Sequence, residues 1–253
     1  MEQQDWNLPL DFAERGAGLH FASFLPDGRS TLTISSDGTI KIWNSLTGYC
    51  HHTFAAHPHY PRPFGFSPDE KLMIMQDMRS KRTTATLWNT TTGESSVKFV
   101  GHTQVLLSTI FSPDGAFVVT ASCDATAKIW NSCTGACSQT PTGHKQLVYA
   151  AAFSPDGASV VTTSYDYTAR IWNTRTGDCL FSLNGHRNTV KGLSFSYDGA
   201  LVLTYSVDKT AKIWNSSTGD CIMTLTGHTR PLGSATFSPD GVCAKPQKTK
   251  LPP

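Results

Sequence analysis

Charge is scarce in this chain. Only 16% of its 253 residues are Asp, Glu, Lys or Arg, and the formal net charge is +2. Three lysines, Lys245, Lys248 and Lys250, stand in the last twelve residues, VCAKPQKTKLPP, with no acid beside them. The body that remains is close to neutral, so its net charge gives a nucleic acid or an anionic membrane nothing to hold. Long apolar runs are missing too: no stretch approaches the roughly 18–20 residues of a membrane span. The opening MEQQDWNLPL lacks the basic-then-apolar layout of a secretory signal, and an intracellular setting, cytoplasmic or nuclear, is expected. No GxxxxGK phosphate loop, GxSxG nucleophile elbow or paired CxxC zinc motif occurs. No cofactor is expected.

What is present points to β structure. Ser, Thr and Gly are plentiful, and hydrophobic residues make up 39% of the chain, enough for an ordinary core. The seven cysteines are odd in number, and four of them (Cys50, Cys137, Cys179, Cys221) each fall seven residues after a tryptophan. Equivalent positions of successive modules lie too far apart to be bridged, so these thiols are expected to be reduced.

Those tryptophans reveal a period. Trp43, Trp88, Trp130, Trp172 and Trp214 are spaced by 45, 42, 42 and 42 residues, and His57, His102, His144, His186 and His228 keep step. A turn string returns as LPDG at 25, SPDE at 67, SPDG at 112 and 154, SYDG at 196 and SPDG at 238. Repetition at this length signals a repeat architecture. Within one period VLLSTIF, AFVVTA and TAKIW are strand-like runs closed by turns, and ACSQT is a weaker fourth. A sheet of four short strands is too small to stand alone. Apolar residues on both faces suit sheets stacked against neighbours on each side.

On Gly-His at 101–102, 143–144, 185–186 and 227–228, on an Asp six residues before four of the five repeat tryptophans, and on the Trp itself, residues 14–241 resemble the WD-repeat β-propeller family. The resemblance implies an all-β propeller of four-stranded antiparallel blades, five complete and a sixth partial. It also implies a buried polar chain in each full blade: His102/Ser122/Asp124/Trp130, His144/Ser164/Asp166/Trp172 and His186/Ser206/Asp208/Trp214. A buried indole, imidazole or carboxylate left without a partner costs about 1–3 kcal/mol, so such a chain has a structural reason to exist. His, Asp and Ser together also spell a hydrolase triad, but a triad recurring once per blade is scaffold, and no catalytic residue is assigned. The departures are specific. Trp-Asn replaces Trp-Asp in every copy, Glu14-Arg15 replaces Gly-His in the first, and the second carries Arg82 at the Asp position after a three-residue insertion, with Asp77 as a substitute.

Residues 1–13 include LPLDFA, a candidate outer strand for a closing blade, and residues 242–253 form a basic tail expected to be disordered. The strands then come to about two fewer than a closed six-bladed ring needs. The favoured expectation is a truncated, spliced or partial form of a longer propeller; the other is a six-bladed ring with an incomplete last blade. An open ring would leave edges and an apolar face prone to self-association.

In this family, partners dock on the face formed by the His and Asp loops. By position, that face carries Tyr60, Arg62, Leu107, Leu147, Tyr149, Tyr165 and Lys191, with Val105, Thr189, Cys123 and Val207 beside them. Tyrosine and arginine among aliphatics is the composition of interface hot spots. The cluster CHHTFAAHPHY (50–60) hints at zinc, but Cys50 and His57 are repeat positions, and no metal is assigned. The expected function is a non-catalytic scaffold for a protein or peptide partner. A regulatory fragment of a longer chain is the alternative, and a hydrolase using a blade His/Asp pair stands a distant third.

Overall fold

Short apolar runs broken every five or six residues by Asp-, Asn- and Gly-centred turns leave the backbone to satisfy itself by pairing neighbouring strands. The computed structural model describes residues 19–24, 28–35, 39–55, 63–69, 71–76 and 82–238, and among these there is no helix. They form five four-stranded sheets. The first comprises β1 (Leu19–Phe24), β2 (Ser30–Ser35), β3 (Thr39–Asn44) and β4 (Cys50–Ala55), and the second β5 (Pro63–Phe66), β6 (Leu72–Gln76), β7 (Ala85–Asn89) and β8 (Ser95–Phe99). The third comprises β9 (Leu106–Phe111), β10 (Phe117–Ser122), β11 (Ala127–Asn131) and β12 (Cys137–Gln139). The fourth is β13 (Val148–Phe153), β14 (Ser159–Ser164), β15 (Ala169–Asn173) and β16 (Cys179–Leu183). The fifth is β17 (Val190–Phe195), β18 (Leu201–Ser206), β19 (Ala211–Asn215) and β20 (Cys221–Leu225). Within each sheet every strand pairs antiparallel with the next in sequence, which is the up-down blade of a WD-type propeller.

The chain divides into two compact units, Met1–Val100 and Gly101–Pro253. In the first, Leu32, Ile40 and Ile42 of one sheet pack on Met73 and Met75 of the next, with Phe66 and Trp88 against them. In the second, Val119, Ala121 and Ile129 meet Val148, Ala151, Phe153, Val160 and Trp172. On the far side of that middle sheet, Val161, Ala169, Ile171 and Leu183 meet Val202 and Trp214. The middle sheet is thus covered on both faces, which explains apolar side chains at consecutive strand positions.

Two turn types close the blades at one end among the described residues. In SPDG, Ser112 Oγ donates to Asp114 Oδ1 at 2.5 Å and accepts the Phe117 N–H at 2.9 Å, and Gly115 takes φ +73°. After each tryptophan the Asn side chain accepts two turn N–H groups, as Asn131 Oδ1 does from Cys133 and Thr134 at 3.0 and 2.9 Å. Asn44, Asn89, Asn173 and Asn215 do the same. An amide oxygen therefore serves where the family has a carboxylate.

The sixth repeat departs from expectation. Its first strand, anticipated within 227–241, is not formed over the described residues 227–238. That segment instead lays Leu232, Ala235 and Phe237 on Leu203, Ala211 and Ile213, the outer face of the fifth sheet. Their spacing of three and then two residues is irregular for a strand. Burial of the apolar side chains holds the segment there without a ladder. LPLDFA and residues 242–253 lie outside the described residues.

Candidate partner-binding face

The loops at the other end of the blades are built around the histidines. In the third blade His102 Nδ1 lies 2.7 Å from Asp124 Oδ2 and Nε2 lies 2.7 Å from Thr120 Oγ1, which also accepts Trp130 Nε1–H at 2.8 Å. The fourth blade repeats this through His144, Asp166, Thr162 and Trp172, and the fifth through His186, Asp208, Thr204 and Trp214. One assignment satisfies every atom: Nδ1–H donates to the carboxylate, the threonine O–H donates to Nε2, and the indole N–H donates to the threonine oxygen. The hydroxyl is therefore that of Thr120, Thr162 or Thr204. This corrects the assignment of Ser122, Ser164 and Ser206, which sit two residues further along the same strand face. Their hydroxyls donate to the carbonyls of Gln104, Gln146 and Asn188 and accept the N–H of Asp124, Asp166 and Asp208.

Each aspartate is saturated. Asp166 Oδ2 accepts from His144 and from the Lys145 N–H at 3.0 Å, and Oδ1 accepts the N–H and O–H of Thr168 at 3.0 and 2.7 Å. Burial opposes the charged carboxylate, but these hydrogen bonds outweigh it and bring Asp166 and Asp208 down to about 2. Asp124 is lowered by the same balance. Burial pushes the three imidazoles below their ordinary value, against the pull of the carboxylates, so each stays neutral and keeps the tautomer above.

Among the described residues the full chain recurs in neither of the first two blades. Trp43 Nε1 still donates to Thr33 Oγ1 at 2.7 Å. In the second blade, the position two residues after the tryptophan's cross-strand partner, which is Thr120 in the third blade, is Met75, which has no O–H to give. Arg82 does not take the aspartate's place in the turn. Its φ of +64° matches Ala125, Tyr167 and Lys209, which follow the aspartates, and its carbonyl accepts from Gln76 Nε2. Asp77 and His57 lie outside the described residues.

The carboxylates fix the loops that carry the variable residues. The residue before each aspartate is tied by backbone to the third residue after the histidine: Cys123 to Val105 at 2.9 Å, Tyr165 to Leu147 at 3.1 Å and Val207 to Thr189 at 3.0 Å. Leu107, Leu147, Tyr149 and Lys191 are all half-buried. Tyr149 and Tyr165 stack at 6.3 Å between centroids and 26° between planes, with Tyr165 39% exposed. Tyr60 and Arg62 lie outside the described residues. Two tyrosines were missed by repeat position. Tyr205, in the middle of the fifth sheet, lies close enough to Tyr149 that burial, and then that phenol, raise its pKa. The isolated Gly192 opposite it in β17 was the available signal, since a strand glycine marks close approach. Tyr167 is 46% exposed and holds φ +71°, a conformation costly for a residue with a Cβ.

Among the described residues no three His, Cys, Asp or Glu side chains converge as a metal site requires. His102 Nε2 faces only a buried threonine, whose oxygen already serves the indole.

The family model described as "WD domain, G-beta repeat" matches residues 16–44, 93–131, 135–173, 177–215 and 219–243, more than half of the chain. It leaves out residues 45–92, which include Met75 and Arg82. Among curated proteins, the chain is 33% identical over 91 residues to nuclear distribution protein PAC1 of Coccidioides posadasii, covering 36% of this chain and 18% of that protein. It is 31% identical over 102 residues to nuclear distribution protein PAC1-2 of Uncinocarpus reesii, covering 39% and 21%. A shorter match, 41% over 39 residues, is to the periodic tryptophan protein 2 homolog of Dictyostelium discoideum, covering 15% of this chain and 4% of that one. The matched part is thus a small fraction of each relative's length.

Proposed function

Since the chain belongs to the WD40 repeat family, we propose that it is a non-catalytic scaffold holding a protein or peptide partner at the His–Asp end of its blades. Family membership supports a role in protein interaction; the face itself is our reading. The observation that carries it is the stacked Tyr149–Tyr165 pair. Half-exposed aromatic rings, one on β13 and one on a loop fixed by an ionised aspartate, offer contact area whose ordering cost has already been met. A hydrolase gains no support, because a nucleophile must reach substrate and Thr120, Thr162 and Thr204 are fully buried. Six described cysteines are unpaired, which supports an intracellular setting, as does similarity to a protein named for nuclear distribution.

The test is affinity capture from cell extract with the wild-type chain and with Tyr149→Ala and Tyr165→Ala, each checked by thermal melt. A protein retained by the wild type and lost by both variants at an unchanged melting temperature supports the reading, with an expected cost of about 2 kcal/mol or more. Equal retention by all three proteins rejects it.

A further inference from the structure

The near-zero net charge hides a separation of charge. Residues 101–238 contain nine Lys and Arg and eight Asp, with no Glu. Three of the acids, Asp124, Asp166 and Asp208, are spent on histidines. The other five stand together at the end opposite them: Asp114, Asp156 and Asp198 in the SPDG-type turns, and Asp178 and Asp220 in the turns after the tryptophans. Arg175 is the one cation in those turns.

The other eight cations gather at the His–Asp end. Lys145 and Arg187 are exposed, and their backbone N–H groups donate to Asp166 and Asp208 at 3.0 and 2.8 Å. Lys209 is exposed on the turn just after Asp208, and Lys191 follows Val190, which pairs with Ser206 beside that turn. Arg230 lies two residues before Leu232, whose N–H points to the Ser206 carbonyl at 3.4 Å. Lys128, Arg170 and Lys212 pass alongside Gly101, Gly143 and Gly185, the residues that precede the histidines, with their head groups engaged by Thr140, Cys179 and Thr224, so the exposed charge rests on the other five. The end that carries Tyr149, Tyr165, Tyr167 and Leu147 is thus ringed by cations, with its own carboxylates already saturated.

We propose that this end binds an acidic segment of a partner protein, with carboxylates or phosphates flanking an apolar or aromatic side chain. The exposed cations meet the charges, and the Tyr149–Tyr165 stack with Leu147 receives the apolar anchor. A uniform polyanion fits less well. The five aspartates at the far end cancel most of the net attraction, and the cations are interleaved with apolar surface. The inference rests on the partner-binding reading of the same face. The two fail separately: tyrosine variants that retain every captured protein reject the face, whereas charge reversal without effect rejects only the acidic partner.

The experiment is selection of random displayed dodecapeptides on the full chain, followed by affinity measurement of enriched peptides at two salt concentrations. Enriched sequences are expected to be net negative around an aromatic or aliphatic residue, and to bind more weakly at higher salt. The variant Lys145→Glu/Arg187→Glu/Lys209→Glu is expected to lose about tenfold or more in affinity for them. If that variant melts early, Lys145→Gln/Arg187→Gln gives the same direction at smaller size. A selection with no binder or no charge bias overturns the proposal. So does unchanged binding by a folded variant, or tighter binding to a uridine oligonucleotide or an anionic vesicle than to any enriched peptide.

Discussion

Tyr205 occupies the space that a Cβ on Gly192 would need. The two residues face each other across β17 and β18, and the phenol oxygen and ring carbons of Tyr205 lie closest to that missing atom. The equivalent pairs are Ala150 with Thr163 in the fourth blade and Ser108 with Ala121 in the third. Of these three blades, the fifth alone trades a Cβ on one strand for a large ring on the other. Gly192→Ala is therefore expected to lose about 1–3 kcal/mol through overpacking, read from urea midpoints. The double variant Gly192→Ala/Tyr205→Thr, which recreates the fourth-blade pair, should recover part of that loss. A single variant as stable as the wild type would mean the ring moves aside freely.

Hydroxyls on adjacent residues of β14 have opposite fates. Thr162 Oγ1 links His144 to Trp172, whereas the buried Thr163 Oγ1 has no partner among the described residues. Thr162→Val strands both an imidazole nitrogen and an indole N–H, and should destabilise by about 2–4 kcal/mol. Thr163→Val removes an unpaid desolvation and should be neutral or stabilising. Thermal melts of the two variants side by side settle it. Equal losses would show that the polar chain contributes no more than ordinary packing.

Blade number, turn chemistry and the His–Asp pairing were legible in the sequence because each depends on residues that recur at one fixed spacing. What lay beyond the period was hidden for physical reasons. Thr120 and Ser122 share a strand face, so alternation alone does not say which hydroxyl the imidazole reaches. The register also shifts between Ala121 and Ser122. Tyr205 stands three residues before its aspartate, outside the repeat positions that the resemblance assigns to the face. The strand expected in the sixth repeat had the right composition but forms no ladder over the described residues 227–238. The charge separation was written in the sequence all along, since acids follow one class of turn and cations the other, but net charge averages it away.

Acid should weaken the fold in two steps, both in the same direction. His102, His144 and His186 have folded values below 6.5, so an unfolded chain takes up protons that the folded one refuses. Stability then declines as pH falls below about 6.5. Asp166 and Asp208 titrate near 2 when folded, against 3.8 for a free carboxyl. Their contribution is complete above about pH 4 and drains as pH falls through the folded value. Urea midpoints measured from neutral pH downward should show both declines. A flat profile from about pH 7.5 to 5.5 would mean the histidines titrate normally in the fold.

The outer face of the fifth sheet depends on its cover. Leu203, Ala211 and Ile213 are at most 7% exposed, and Leu232, Ala235 and Phe237 lie against them without a paired strand to hold the segment in place. Burial of a few side chains is then its main attachment, so it should release at lower free energy than the blades. Leu232→Ser/Phe237→Ser is expected to detach it, with amide exchange rising over 227–238 while the core of β18 stays protected. Uncovering an apolar sheet face should also drive association, seen as increased mass by light scattering at higher protein concentration. Detachment without a change in mass would separate the two effects, leaving the segment as a cover whose loss the fifth sheet tolerates. Unchanged exchange over 227–238 would instead mean that the backbone contact from Leu232 to Ser206 anchors the segment without the apolar pair.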